Sequence, residues 1–171
     1  MKCRFPPYQY FIKLEKVIIY TDGASQGNPG PGGYGIVLIS GARRKEISKG
    51  FRHTTNNRME LMSVIEALKA LKKNNLDITV YSDSRYVVDA VNLGWVFNWQ
   101  RKGFNKKKNS DLWQKFLQVY AIHRPKFKWI KGHNANPENE RCDELAVRAS
   151  HSEPLETDKG YEIDLKDNSE E

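Results

Sequence analysis

The sequence predicts an α/β fold with a mixed sheet, and three features of the chain lead to that prediction. Three short runs rich in β-branched and aromatic residues lie before residue 54, separated by glycine-containing turns, which is typical of an antiparallel meander. Two later stretches carry apolar residues at helical spacing. A fourth strand lies between them, and a strand, a helix and a strand in succession imply a parallel crossover.

The first predicted strand covers residues 17–20 and ends at Asp22. Five glycines and two prolines follow within residues 23–33, a density that forces turns and lets a backbone or a ligand approach closely. A carboxylate at a strand end beside glycine is well placed to hold a metal ion. The same aspartate could instead only start the turn.

Residues 33–40 and 46–53 predict the second and third strands. The first helix is expected to begin near Asn57, which forms a capping-box pattern with Glu60. It is expected to end at residues 72–75, because the lysines there suit the negative end of the helix dipole.

The rest of the chain predicts three more helices and two more strands. The fourth strand covers residues 78–82 and ends at Asp83, and Ser84 caps the second helix. The other elements are a helix at 111–122, a fifth strand at 127–130, and a last helix from the N-cap Asn136 through Pro137 to about Ala149.

We expect one domain with two appendages in this chain of 171 residues. The predicted boundaries are an N-terminal extension at 1–15, the main domain at 16–150 and an acidic C-terminal tail at 151–171. No apolar run approaches the roughly 20 residues that span a bilayer, and the first residues lack the apolar stretch of a secretory signal. Cys3 and Cys142 lack metal-ligand spacing, which suits a reducing compartment, so we expect a cytoplasmic protein.

The net charge of +7 is unevenly distributed. Residues 151–171 carry a net −6, so residues 1–150 carry +13. A body this basic favours a polyanion through counterion release, although ordinary solubilising charge is the alternative. The acidic tail is expected to fray, and a further hypothesis is that it could compete weakly for the basic surface.

The segment at 94–111 interleaves aromatic rings with five basic residues. A solvated lysine run is one interpretation. Rings between the charges favour a nucleic-acid contact surface instead, since cations hold phosphates and rings pack on sugars or bases. The candidate contact residues are Trp95, Trp99, Arg101, Lys102, Lys106, Lys107 and Lys108.

Four acids are candidates for chemistry: Asp22, Glu60, Asp83 and Asp143. Taken singly, each has a plain explanation as a turn, cap or helix-dipole residue. Sites in open α/β sheets form beyond strand ends where the strand order reverses, so adjacent first and fourth strands would place Asp22 beside Asp83. Carboxylates that close repel each other, and a divalent cation offsets the repulsion. Oxygen ligands without a thiolate or a histidine pair indicate Mg²⁺ or Mn²⁺.

Two such ions about 3.5–4 Å apart would stabilise the attacking and leaving oxygens in phosphodiester hydrolysis. His133 lies in a glycine-flanked loop near Asp143. It could move a proton to or from the leaving group, or it could be an ordinary surface histidine.

Several motifs, in their order along the chain, resemble type 1 ribonuclease H, the bacterial HI enzyme. They are TDG at 21–23, GNPGPGG at 27–33, TTNNRME at 54–60, SDS at 82–84, KGH at 131–133 and PENERCD at 137–143. The resemblance extends from about residue 16 to 164. It implies a five-stranded mixed sheet with helices on both faces. It also implies largely sequence-independent, endonucleolytic hydrolysis of the RNA strand of RNA–DNA hybrids, leaving 5′-phosphate and 3′-hydroxyl ends.

The resemblance also implies roles for individual residues of the catalytic domain at 16–150. His133 would assist product departure. The four acids would hold two Mg²⁺ ions, with Mn²⁺ as an alternative: Asp22, Glu60, Asp83 and Asp143.

Other motif positions would contact the nucleic acid. Asn28 and Asn56 would approach RNA 2′-hydroxyls, Thr55 would help to hold a DNA phosphate, and Asn57 would lie beside the backbone. Residues 95–108 resemble the family's basic protrusion, which grips the DNA strand. The expected partner is an RNA–DNA hybrid, bound by a monomer.

Two features depart from the family's pattern. The protrusion is shorter after Phe104 than in the best-known bacterial form, which predicts weaker binding or a shallower salt dependence, and Arg85 stands where that form has glutamine. Two rival functions remain. A non-catalytic hybrid-binding module would predict the loss of at least one acid, and a different nuclease or strand-transfer enzyme could share the same sheet.

Overall fold

The computed structural model describes residues 13–167 and contains one five-stranded mixed sheet. The strands are β1 (Glu15–Ser25), β2 (Gly30–Ser40), β3 (Arg43–Thr54), β4 (Leu76–Ser82) and β5 (Lys126–Trp129). Their order is β3-β2-β1-β4-β5. The first three pair antiparallel, whereas β4 is parallel to both β1 and β5. The predicted meander and parallel crossover are therefore confirmed.

Helices cover both faces of this sheet. They are α1 (Asn56–Lys69), α2 (Arg85–Asn92), α3 (Trp95–Arg101), α4 (Ser110–His123), α5 (Pro137–Ser150) and α6 (Lys159–Asp167). Alternate residues of β2 face opposite sides, as the two-residue period of a strand requires. Ile36 belongs to the main core with Leu61 of α1, whereas Val37 packs with Cys142 of α5.

The ends of two elements, β1 and α1, differ from the sequence-based expectation. Strand β1 does not end at Asp22, since its pairing with β2 continues to Ser25. Helix α1 begins at Asn56, and the capping residue is Thr55, whose hydroxyl accepts a bond from the Arg58 N–H at 3.4 Å. The predicted capping box of Asn57 with Glu60 is thus wrong. The helix also ends at Lys69, before the predicted 72–75.

Two local predictions agree with the structure. Ser84 caps α2 through its hydroxyl, and the Asn136 side chain caps α5 ahead of Pro137. Both caps bond only to residues within three positions along the chain, so the local sequence suffices to specify them.

The acidic tail is ordered as far as the structure describes it. The prediction that it frays is wrong for residues 151–167, because Asp158 is buried and residues 159–167 form α6. Its last four residues, 168–171, lie outside the described part of the chain, as do residues 1–12 of the N-terminal extension. Within residues 13–167, no helix has the length and apolar character needed to cross a membrane.

Candidate metal centre and nucleic-acid interface

Three of the four candidate acids meet at one edge of the sheet. The last parallel pair of β1 and β4 joins Tyr20 to Tyr81, so Asp22, within β1, and Asp83, just after β4, each lie two residues beyond it on neighbouring strands. Glu60 reaches them from the second turn of α1. This turn can come close to β1 because residue 23 is a glycine: any side chain there would collide with the Glu60 backbone nitrogen. Ligand oxygens of the three carboxylates lie within 4.8 Å of one another.

Few hydrogen bonds support these three carboxylates. The Gly23 N–H donates to Asp22 Oδ1 at 2.7 Å, and Asn139 Nδ2 donates to Asp83 Oδ2 at 3.3 Å. Asn56 Nδ2 lies 3.4 Å from Glu60 Oε1. The other oxygen of Glu60 is buried and has no hydrogen-bond partner. A buried carboxylate oxygen without a donor is costly unless a cation or a proton satisfies it.

Burial and mutual repulsion shift Asp22 and Glu60 towards their neutral forms. Burial, followed by the charge of Asp83, raises the pKa of Asp22 to about 8. Burial, followed by the charge of Asp22, raises the pKa of Glu60 well above its ordinary value. A divalent cation would favour the ionised forms instead. The hard oxygen donors and the unpartnered Glu60 oxygen fit such a cation.

Asp143 and His133 stand around the same acidic cleft without joining the tight group. Asp143 projects from α5, and His133 belongs to the loop between β5 and α5, with φ of 50°. The acidic cleft is lined by Asp22, Gly23, Ala24, Ser25, Asn56, Asn57, Glu60, Asp83, Ser84, Arg85, Tyr86, His133 and Asp143. All five residues expected to carry the chemistry therefore line one cleft.

A second depression, called here the backbone pocket, collects other predicted contact residues. It is lined by Asn28, Pro29, Thr55, Asn57, Lys108, Asn109, Tyr161, Asp164 and Leu165. Asn28 Oδ1 accepts a bond from the Asn56 N–H at 3.2 Å, which links the Gly/Pro turn to the start of α1. Asn57 lines both depressions, whereas Asn56 lines only the acidic cleft.

Residues 14–151 match the family model described as RNase H. This range includes every residue of the acidic cleft and every residue of the backbone pocket except Tyr161, Asp164 and Leu165. The chain belongs to the RNase H family. Similar proteins include a ribonuclease H of Trichodesmium erythraeum, 48% identical over 155 residues that cover 88% of this chain and 98% of that protein. A ribonuclease HI of Helicobacter pylori is 53% identical over 133 residues, covering 78% of this chain and 92% of that protein.

Solved structures give the same result. LC9-RNase H1, described as a type 1 RNase H with the type 2 active-site motif, has a TM-score of 0.74 and 33% identity, covering 81% of this chain and 74% of that chain. LC11-RNase H1, solved in complex with an RNA/DNA hybrid, has a TM-score of 0.60 and 28% identity, covering 78% of this chain and 95% of that chain. The predicted membership of the ribonuclease H family is confirmed.

Sequence reasoning missed the support that three residues give to the acids of this RNase H domain. Asn139 donates to the Asp83 carboxylate, as described above. Trp129 Nε1 donates to the Asp83 carbonyl oxygen at 3.0 Å, and the Arg85 guanidinium lies 3.7 Å from the centroid of the Trp129 ring. The available signal was the position of Trp129 at the end of β5, where it pairs with Ser82 of β4.

The basic protrusion, residues 95–108, divides its aromatic and basic side chains between the interior and the surface of the domain. Trp99 packs edge-on against the buried Trp113, with ring centroids 5.5 Å apart. Its other contact is Lys107, whose Nζ lies 4.6 Å from the ring centroid. Trp95 is exposed, as are Arg101, Lys102, Lys106, Lys107 and Lys108. The charges thus face solvent on a base of packed rings.

Proposed function

We propose that this RNase H domain is an endonuclease that hydrolyses the RNA strand of RNA–DNA hybrids and leaves 5′-phosphate and 3′-hydroxyl ends. The convergence of Asp22, Glu60 and Asp83 on one point carries the proposal. Relatives that match over most of their length are named ribonuclease H. All four acids are present, so nothing favours the rival of a non-catalytic binding module.

The acidic cleft would hold divalent cations, which we take to be two Mg²⁺ ions, with Mn²⁺ as an alternative. Asp22, Glu60 and Asp83 would bind them, and Asp143 would complete the set from the wall of the cleft. When bound, the ions stabilise charge on the attacking and leaving oxygens of the phosphodiester. Asn139 and Trp129 hold Asp83 in place for this role.

His133 is assigned the proton transfer. It is exposed and lines the acidic cleft beside the acids. An imidazole there can deliver a proton to the leaving 3′-oxygen, because imidazole gains and releases protons readily near neutral pH. This fits the role predicted for it in product departure.

Strand discrimination follows from the two depressions. Asn56 in the acidic cleft and Asn28 beside it would approach 2′-hydroxyls, which only RNA offers. Thr55, Asn57 and Lys108 in the backbone pocket would bind a phosphate of the DNA strand. The basic protrusion would hold the same strand through its exposed cations. Contacts of this kind position the hybrid without reading its bases.

The test is cleavage of a labelled RNA–DNA hybrid with Mg²⁺, beside single-stranded RNA, duplex RNA and duplex DNA. We expect cutting of RNA in the hybrid alone, and none by Asp22→Asn. Tight hybrid binding without cutting would favour a binding module, and cutting of duplex DNA would favour a different nuclease.

Gel filtration tests the accompanying proposal of a monomer. The proposed cytoplasmic location rests on the cysteine usage alone.

A further inference from the structure

A buried ion pair between Asp158 and Arg58 attaches the acidic tail to the rest of the domain. Asp158 is 3% exposed, and its carboxylate accepts bonds from Arg58 Nε at 2.7 Å and Arg58 Nη2 at 2.8 Å. Thr54 Oγ1 donates to the same carboxylate at 2.7 Å. Just before it, the backbone of Glu156 bonds to Gly50 and Arg52 of β3 at 2.9 Å each. The chain is therefore fixed at the point where α6 begins.

The first turn of α6 is fixed as well. Gly160 lies against Arg58 and Asp111 so closely that a side chain there would collide with both. The next residue, Tyr161, places its ring 5.3 Å from the His53 ring and 5.9 Å from the Arg58 guanidinium. These contacts set the direction in which α6 leaves the anchor.

That direction takes α6 alongside the backbone pocket. Asp164 and Leu165 line the pocket together with Thr55, Asn57 and Lys108. Asp164 therefore brings an acidic residue into the pocket to which a DNA phosphate was assigned above. Two anions close to one lysine compete for it, and each raises the free energy of the other.

The apolar side chains in the far part of α6 are largely exposed. Ile163 is 57% exposed and Leu165 is 42% exposed, so these apolar side chains contribute little burial to hold the helix in place. Residues 159–171 carry five acids and two lysines. Three of these acids, Glu162, Asp164 and Asp167, belong to α6, and Asp164 lies beyond its fixed first turn.

We infer that α6 is an acidic competitor, built into the chain, for the nucleic-acid backbone at the backbone pocket. The inference rests on the proposed function of that pocket. With α6 in place, hybrid affinity is held below what the basic surface would give alone. A hybrid can bind only by displacing the helix or by binding against electrostatic repulsion from its carboxylates. The affinity for hybrid therefore depends on ionic strength and on the charge of the tail.

The test compares hybrid binding by chains that also carry Asp22→Asn, so that no cleavage occurs. The charge variant is Glu162→Gln with Asp164→Asn, and a second variant ends after Tyr161. We expect both to bind a fluorescent RNA–DNA hybrid roughly three- to tenfold more tightly at low salt, the scale of removing like charges near a phosphate. The gain should shrink at high salt because screening weakens the repulsion. With Asp22 restored, KM should fall by the same factor while kcat stays unchanged.

The matched control is Asp77→Asn with Glu144→Gln, which raises the net charge equally at exposed ion pairs outside the backbone pocket. Equal tightening by the control, or no tightening by the charge variant, would overturn the inference. If the truncated chain fails to fold, the charge variant decides alone, since both of its substitutions are isosteric. A failure of the proposed function can be told apart from a failure of this inference, because in the first case the unmodified chain would not cut hybrids at all.

Discussion

At the scale of single residues, Asp22 is where stability and function conflict most. Its carboxylate is buried, faces Asp83 and Glu60, and receives one backbone hydrogen bond. Its pKa is raised from an ordinary 3.8 to about 8. The folded protein therefore favours the neutral acid, and stability is lost as the pH rises from 3.8 through about 8.

We predict that Asp22→Asn stabilises the metal-free protein, by about 1–2 kcal/mol near pH 8 and by little near pH 4. The amide keeps the shape and removes the charge. Thermal unfolding with a chelator present, at several pH values, measures this gain. Asp77→Asn is the control: Lys126 lowers the pKa of Asp77, so its loss should give no gain at any pH. If the stability gained by Asp22→Asn does not grow with pH, the raised pKa of Asp22 is contradicted.

We assign His133 to the proposed chemistry, since it lines the acidic cleft. Its side chain is exposed, so its replacement should leave the described fold intact. We expect His133→Ala to lower kcat by about 10²-fold, the usual contribution of a general acid, while metal and hybrid affinity persist. Single-turnover cleavage beside binding titrations separates the two effects. His151→Ala, an exposed histidine at the end of α5, should leave both unchanged; equal turnover in both variants would make the His133 loop structural.

At the scale of elements, the basic protrusion lies apart from the acids of the cleft. Lys107 rests on Trp99, and Lys108 lines the backbone pocket, whereas the acids occupy a different depression. In the proposed function, binding energy and chemistry would therefore come from different elements, with Asn57 at the start of α1 lining both depressions.

Replacing Lys106, Lys107 and Lys108 with alanine should weaken hybrid binding and flatten its salt dependence. The slope should fall by about one for each phosphate that the variant no longer neutralises, with kcat at saturation nearly unchanged. Titrations at several salt concentrations measure the slope. A triple alanine variant of Lys45, Lys72 and Lys73, near the start of β1, removes equal charge from the other end of the sheet. Identical slopes in the two triple variants would exclude a specific role for the protrusion.

At the scale of the whole molecule, one buried ion pair joins the tail to the body. Arg58 is fully buried and lies two residues before Glu60 in α1, and it also pairs with Asp111 at the start of α4. Asp158 thereby connects the tail, α1 and α4. Its removal would leave a buried guanidinium short of a partner.

We predict that Asp158→Ala destabilises the protein by about 3–5 kcal/mol, the usual loss on breaking a buried ion pair. Urea unfolding measures the change. Glu162→Gln, four residues further along the tail, should change stability by less than about 0.5 kcal/mol. If Asp158→Ala costs no more than this control, the tail is not part of the folded unit.

Local sequence was sufficient for much of the fold and part of the site. Apolar runs specified the strands, and Ser84 and Asn136 specified two helix starts, because these interactions involve neighbours along the chain. Asp22 and Asp83 could be picked out because each closely follows an apolar run in the sequence, although β1 continues past Asp22 to Ser25. The N-cap of α1 was misassigned, since Thr55 and Asn57 are both good caps and only the path of the chain from β3 selects between them.

Only the tertiary structure decided the remainder, because it depends on residues that are distant in sequence. Arg58 and Asp158 are 100 residues apart, and nothing in either segment indicates the other. The packing of Trp99 on Trp113, the bond from Trp129 to Asp83 and the position of Asp164 beside the backbone pocket are decided in the same way. The sequence by itself determined which residues can do the chemistry. The folded chain decided which of them meet, because burial and close packing are properties of the complete three-dimensional arrangement.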